Sequence, residues 1–237
     1  MVNIRSATGT TQVNPTTDRG LTQLIQRGNL LPVISGSALE DLVLGGHENL
    51  VLSYADHIGY PLTDRSELHR MVKYQALTTG WKDTTVKQDY LDTVGSYIYA
   101  LAEANGVDPG LLAEAADQAG GQTVSQFAAH LGYPQLGGGS DNPLLLLANL
   151  PLPLYITTSP YTFLEDALRR AGKTPRSEFC RWHPGLGNVP SVFDRSGVEP
   201  GESPCEHNRA GNPYLPCAHK PLVYHLYGLD AYPDALV

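Results

Sequence analysis

Three short apolar runs, each followed by small or polar residues, constrain this fold more than any other feature of the sequence. They are residues 30–34, 152–158 and 221–228, and their Leu, Ile, Val and Tyr content is typical of buried strands. Between the first two runs, apolar residues recur three and four positions apart, which is the spacing of amphipathic helices. Strands that alternate with helices predict an α/β fold, a Rossmann-type parallel sheet.

The long helical stretch predicts an insert between the first two strands, from about residue 38 to residue 140. It ends at a Gly-rich break at residues 137–143, and a second α/β unit begins there. A polar leader at residues 1–20 precedes the first helix. We therefore expect one folded domain over residues 21–237, a length that suits a single core.

A short helix is predicted directly after the second strand. Gly172 stops this helix in the C′ position, and Thr162 and Glu165 have the spacing of a capping box at its start. Residues 174–220 are rich in Pro, Gly and Ser with little periodicity, which predicts an irregular connection with one short strand near residues 177–182.

Charge and hydropathy exclude several classes of partner. The chain of 237 residues has 16 Lys+Arg against 24 Asp+Glu, a formal net charge of −8, and no basic cluster, so direct nucleic-acid binding is a poor prediction. The longest apolar run, residues 143–156, is interrupted by Pro151 and Pro153 and is too short to cross a bilayer. The N-terminus has no apolar segment of the secretory type, so we expect a cytoplasmic protein without a membrane span.

Ligands of parallel α/β sheets bind in the crevice at the carboxyl ends of the strands, where three loops are predicted to meet. The first loop precedes a helix, so its N–H groups and hydroxyls suit a phosphate, although such a turn occurs as often without a ligand. The candidate ligand-binding residues of the three loops are Ser35, Gly36, Ser37, Thr158, Tyr161 and Gly228.

The order of these segments resembles that of the bacterial sirtuin-like domains. The resemblance covers the chain from about residue 28 to its end, and it implies a Rossmann-type sheet with a helical insert that binds NAD. In several prokaryotic defence proteins such domains cleave nicotinamide from NAD, often within chains that carry other modules. The segments that carry the resemblance are residues 31–37, 58–61, 154–158, 164–168 and 221–228.

The resemblance also implies catalytic positions, and the chain departs from the family at each of them. The family has Gly-Ala-Gly at the first turn, an asparagine where Ser159 stands, an aspartate at Tyr161, and a histidine at Tyr227 before Gly228. A tyrosine with an ordinary pKa near 10 is a poor base at neutral pH, so His225 is the alternative base. The other interpretation of His225 is a buried strand residue bonded to a backbone carbonyl. Ser159, His225 and Tyr227 are the catalytic candidates.

Two function classes follow from the resemblance. The first is a domain that binds NAD or an NAD-derived nucleotide, with NAD glycohydrolysis as its enzymatic form. The second is an inactive scaffold that binds other domains or proteins of a defence or signalling assembly. A homo-oligomer is a further alternative for the partner. The chain ends nine residues after Gly228, which is short for this family and suggests a fragment.

A Cys-x-His pair occurs twice in the irregular connection, as Cys205 with His207 and Cys217 with His219. Two thiolates and two imidazoles suit tetrahedral zinc, which would stabilise a segment that has little core of its own. Free thiols and polar loop residues are the alternative interpretation. Three cysteines do not describe a disulfide framework, so we expect thiols or metal ligands rather than disulfides.

Overall fold

A four-stranded parallel sheet organises the fold. In this computed structural model, residues 18–135, 142–194 and 214–237 are described, so most of the predicted polar leader lies outside them. The strands, in chain order, are β1 (Val33–Ile34), β2 (Leu154–Thr157), β3 (Arg176–Phe179) and β4 (Leu222–His225). Their spatial order is β1-β2-β4-β3, and all pairs are parallel. The predicted α/β fold is confirmed.

Most helices of the described ranges lie between β1 and β2, as the helical spacing predicts. Within the described ranges, no helix is long and apolar enough to cross a membrane. The helices are α1 (Asp18–Gln26), α2 (Gly36–Leu44), α3 (His47–His57), α4 (Leu68–Thr79), α5 (Asp83–Ala104), α6 (Pro109–Gln118), α7 (Val124–His130), α8 (Pro143–Asn149) and α9 (Phe163–Arg170).

The two faces of the sheet carry different layers, because successive strand residues point to opposite sides. Tyr155 and Val223 are neighbours in the register of β2 and β4, and both are buried in the main core with the helices. On the other face, Leu222 is buried with Val192 and Tyr214, which belong to the connection between β3 and β4. The helical insert therefore covers one face, and the irregular connection covers the other.

Helix α9 ends as predicted but begins differently. Gly172 has φ +78°, and the N–H of Lys173 donates to the carbonyl of Leu168, which closes the helix. The predicted capping box is wrong, since Thr162 makes no side-chain capping bond. The physical reason is that the Glu165 carboxylate lies fully buried under the sheet, where the Ser177 hydroxyl donates to it at 2.6 Å.

Candidate functional site

The structure brings the three strand-end loops together at the carboxyl edge of the sheet. The N–H of Gly36 donates to Thr158 Oγ1 at 2.8 Å, which joins the start of α2 to the end of β2. The N–H of Leu226 donates to the carbonyl of Thr157 at 2.8 Å, and the N–H of Asp230 donates to that of Pro160. Parallel strands and short hydrogen bonds thus place residues far apart in sequence in one site.

Helix α2 points its N-terminus at this edge, with Ser35 as the N-cap. Ser35 Oγ accepts from the N–H of Ala38, and the first N–H of the helix, that of Gly36, is already bonded to Thr158. The Ser35 and Ser37 side chains are exposed, and Ser37 Oγ donates to Ser35 Oγ at 3.3 Å. A phosphate at this helix end would meet two reachable hydroxyls and a positive dipole end, but fewer free N–H groups than a glycine turn offers.

Both candidate glycines serve the packing of the chain itself. A Cβ on Gly36 would lie 3.3 Å from Ser159 Cα, so the absence of a side chain lets α2 approach the β2–α9 loop closely. Gly228 has φ +89°, and a Cβ there would lie 2.2 Å from the carbonyl oxygen of Ala235. The space beside Gly228 is therefore filled by the C-terminal segment.

His225, the candidate base, lies in the interior and is bonded at both ring nitrogens. Its Nδ1 lies 2.7 Å from the carbonyl oxygen of Ser159, and its Nε2 lies 2.8 Å from Glu165 Oε1. A carbonyl and a carboxylate only accept hydrogen bonds, so both nitrogens donate and the ring is an imidazolium. Both side chains of this ion pair are completely buried.

The pKa values of this pair shift in opposite directions, that of Glu165 downwards and that of His225 upwards. Burial raises the pKa of Glu165, but the positive charge of His225 and the bonds from His225 and Ser177 outweigh burial and lower it. Burial lowers the pKa of His225, but the Glu165 carboxylate and the bond to Ser159 outweigh it and raise it. Both groups therefore hold their charges, and His225 has no lone pair with which to take a proton from a substrate.

The remaining candidates differ in accessibility. Ser159 is fully buried, and its Oγ accepts from the N–H of Tyr161. Tyr161 is also fully buried, with its ring 5.2 Å from that of Phe163. Tyr227 is 47% exposed, which makes it the one catalytic candidate that faces solvent. Reactive roles for these residues stay predictions, since burial and accessibility describe position alone.

Asp230 ties the helical insert to the strand-end loops, and no sequence pattern pointed to its partner Ser125. The N–H and Oγ of Ser125 donate to Asp230 Oδ2 at 2.6 and 2.7 Å, and Ser125 Oγ accepts from the N–H of Thr162. Burial raises the pKa of Asp230, while the Ser125 bonds oppose the increase. Asp230 also lines a neighbouring cleft with Gly95, for which the only sequence signal is an isolated glycine in a helical pattern.

The predicted zinc ligands are divided between described and undescribed parts of the chain. Cys205 and His207 lie outside the described residues, and His219 is exposed. The expectation of a thiol or metal ligand is wrong for Cys217, which is disulfide-bonded. Disulfide pairing depends on the approach of two Cβ atoms, which sequence spacing does not determine. A disulfide sulfur supplies no thiolate, so the predicted four-residue zinc set loses Cys217. Among the described residues no group of three or more metal-ligating side chains occurs.

Neither family models nor curated proteins identify a relative of the chain. No family model matches the chain, and a search of curated proteins found no match either. The sirtuin-like resemblance therefore stays a prediction that depends on the strand-end segments themselves.

Proposed function

We propose that this domain binds NAD or an NAD-derived nucleotide at the carboxyl edge of its sheet and does not hydrolyse it through His225. The observation that supports binding is the convergence of the three strand-end loops, joined by the 2.8 Å bond between the N–H of Gly36 and Thr158 Oγ1. This edge is where parallel α/β sheets hold their ligands.

The N-terminus of α2 supplies the phosphate contact in this proposal. The exposed Ser35 and Ser37 hydroxyls donate hydrogen bonds to phosphate oxygens, and the helix dipole favours their negative charge. The first turn of α2 contains no basic residue, so in this proposal the helix dipole and the two hydroxyls make the contact.

The same geometry argues against hydrolysis by the predicted residues. Cleavage of the N-glycosidic bond between the ribose and the nicotinamide of NAD needs a group that orients water or the ribose. The His225 ring is held by Ser159 and Glu165, and the Ser159 hydroxyl accepts from Tyr161, so neither faces a bound ligand. These contacts favour a domain that binds NAD without hydrolysing it.

Thermal unfolding in the presence of NAD, ADP-ribose or nicotinamide tests the proposal, with nicotinamide release measured in the same samples. A ligand at 100 times its Kd stabilises the fold by about 2.7 kcal/mol, so NAD and ADP-ribose are expected to raise the Tm without release of nicotinamide. Brisk release of nicotinamide by the natural chain would contradict the proposal, and its loss in a Ser159→Ala variant that keeps the natural Tm would locate the chemistry at this edge.

A matched pair of variants at Ser37 locates the phosphate. Ser37→Asp places a negative charge in the first turn of α2, which favours the helix but repels a phosphate. Ser37→Asn has nearly the same shape without the charge. Loss of the NAD-dependent Tm shift in Ser37→Asp alone supports the site at α2, whereas an equal shift in both variants places the nucleotide elsewhere.

The second candidate function is an inactive scaffold, and a specific observation favours it. The backbone of Ala235 occupies the space beside Gly228, one of the candidate ligand-binding positions, so less room remains there for a nucleotide. No Tm shift with any of the three ligands at millimolar concentration would support the scaffold. Light scattering after size-exclusion chromatography then measures whether the domain forms homo-oligomers.

A further inference from the structure

A cleft of about 970 Å³ lies between α5, the turn that joins α6 to α7, and the segment that follows β4. Its described lining includes none of the strand-end candidates, and Asp230 lies between this cleft and the strand-end loops. Asp230 lines it from the end of β4, while Asp92, Gly95 and Tyr99 line it from α5.

Glycines line this cleft at three positions. Gly95 lies in the interior of the 22-residue helix α5, and a Cβ at this position would meet no atom within 4 Å. Glycine inside a helix is less stable than alanine, so packing and helix formation give no reason for a glycine here. Gly120 and Gly121, on the α6–α7 side, also line the cleft and have open space beside them.

The charges of the lining select the class of ligand. Among the lining residues in the described part of the chain, the charged ones are Asp92 and Asp230, and both are acidic. Asp92 is exposed at the surface, where its Oδ1 accepts from Gln88, and Asp230 lies deeper at 5% exposure. Ser125 donates two hydrogen bonds to Asp230 and the positive charge of His225 acts on it, so the exposed Asp92 is the main anchor for a cation. Because low-dielectric walls concentrate the field of the lining charges, the cleft attracts cations and repels phosphates.

Aromatic side chains complete the lining. Tyr99 on α5 and Phe127 on α7 both border the cleft, and aromatic faces attract ammonium groups and pack against methylene chains. We infer that this cleft binds a small organic cation, a protonated amine with an aliphatic chain, beside the nucleotide edge rather than within it. The inference goes beyond the proposed function and does not depend on it.

Isothermal titration with spermidine tests the inference, and triethylene glycol serves as an uncharged probe of similar length. Gly95→Phe fills the cleft and is expected to weaken spermidine binding about tenfold or more, whereas Gly95→Ala leaves it close to that of the natural chain. Glu103→Phe introduces the same ring at an exposed position of α5 outside the cleft, and we expect no comparable loss.

A charge variant keeps the test valid if Gly95→Phe does not fold. Asp92→Lys changes an exposed side chain and is expected to weaken spermidine binding about tenfold, with Asp92→Asn in between. Three results would overturn the inference: no spermidine binding at millimolar concentration, equal binding of triethylene glycol, or binding that neither Gly95→Phe nor Asp92→Lys changes. The last result would indicate diffuse attraction to a chain of net charge −8. Retention of the NAD-dependent Tm shift in Gly95→Phe separates this inference from the nucleotide proposal.

Discussion

Gly228 at the sheet edge and Gly95 in the cleft use the absence of a side chain in opposite ways. A Cβ on Gly228 would collide with Ala235 at 2.2 Å, whereas a Cβ on Gly95 would enter open space. Beside Gly228 the chain fills the space with its own backbone, and beside Gly95 it leaves space open. A glycine in a strand-end loop thus serves packing here, whereas a glycine inside a helix borders open volume.

Polar groups at the two regions differ in the same way. At the edge, the buried His225 and Glu165 and the half-buried Ser177 form a set whose bonds are made within the chain. In the cleft, the Asp92 carboxylate is exposed and reachable from solvent. Substitutions within this bonded set should therefore alter stability, and substitutions of the exposed cleft residue should alter binding.

The largest effect is expected from the buried ion pair. His225→Ala leaves Glu165 charged, buried and without its main partner, so we expect a loss of about 3–5 kcal/mol in the free energy of unfolding. Urea denaturation measures it. The control is His69→Ala, which removes an exposed histidine paired with Glu67 and should cost less than about 1 kcal/mol. Equal costs for the two variants would contradict a charged, buried pair.

Gly228→Ala is expected to lower the free energy of unfolding almost as much as His225→Ala does. The left-handed backbone at φ +89° and the contact with Ala235 together should cost about 3 kcal/mol. Thermal unfolding of the variant, with Gly132→Ala as a control that shares a positive φ but has open space around it, separates backbone strain from collision. A small, equal Tm change in both variants would show that the space beside Gly228 is free.

The pH dependence of stability tests the buried ion pair in a second way. His225 has a raised pKa, so its contribution is complete below its ordinary value of 6.5 and decreases as the pH rises through the folded value. Glu165 has a lowered pKa, so its contribution is complete above its ordinary value of 4.5 and decreases as the pH falls through the folded value. We expect the pair to stabilise most between pH 4.5 and 6.5. Urea midpoints across pH should lose this maximum in Glu165→Gln, and its persistence would rule out the pair as the cause.

The smallest expected effect has the opposite sign. Gly95→Ala improves helix propensity without a collision, so it should raise the free energy of unfolding by about 0.5–1 kcal/mol. Thermal unfolding measures the increase. A decrease in Tm would mean that a neighbouring side chain already uses the space beside Gly95.

Much of the fold follows from local patterns. The apolar runs predicted β2 and β4, the helical spacing predicted the insert, and Gly172 marked the end of α9, because strand alternation, helix period and a left-handed cap are properties of a few adjacent residues. The first strand is shorter than predicted, since only Val33–Ile34 pair in β1. Strand length depends on neighbouring strands, which local pattern does not describe.

The site was less predictable, and Glu165 shows why. Its spacing from Thr162 indicated a capping box, but the carboxylate pairs with His225, sixty positions further along the chain. Cys217 was expected to be a thiol or a metal ligand and is disulfide-bonded. In both cases a partner distant in sequence competes with the local one, and only the folded chain brings that partner near.

Local sequence patterns were sufficient for the class of the fold and the position of the strand-end loops, because hydrophobic periodicity acts within each element. Only the folded chain shows that His225 is a buried imidazolium, that Ala235 fills the space at Gly228, and that a cleft lies beside Gly95. Burial, charge pairing and cavity space depend on which elements pack together, and that packing joins residues too far apart in the sequence for any local pattern to connect.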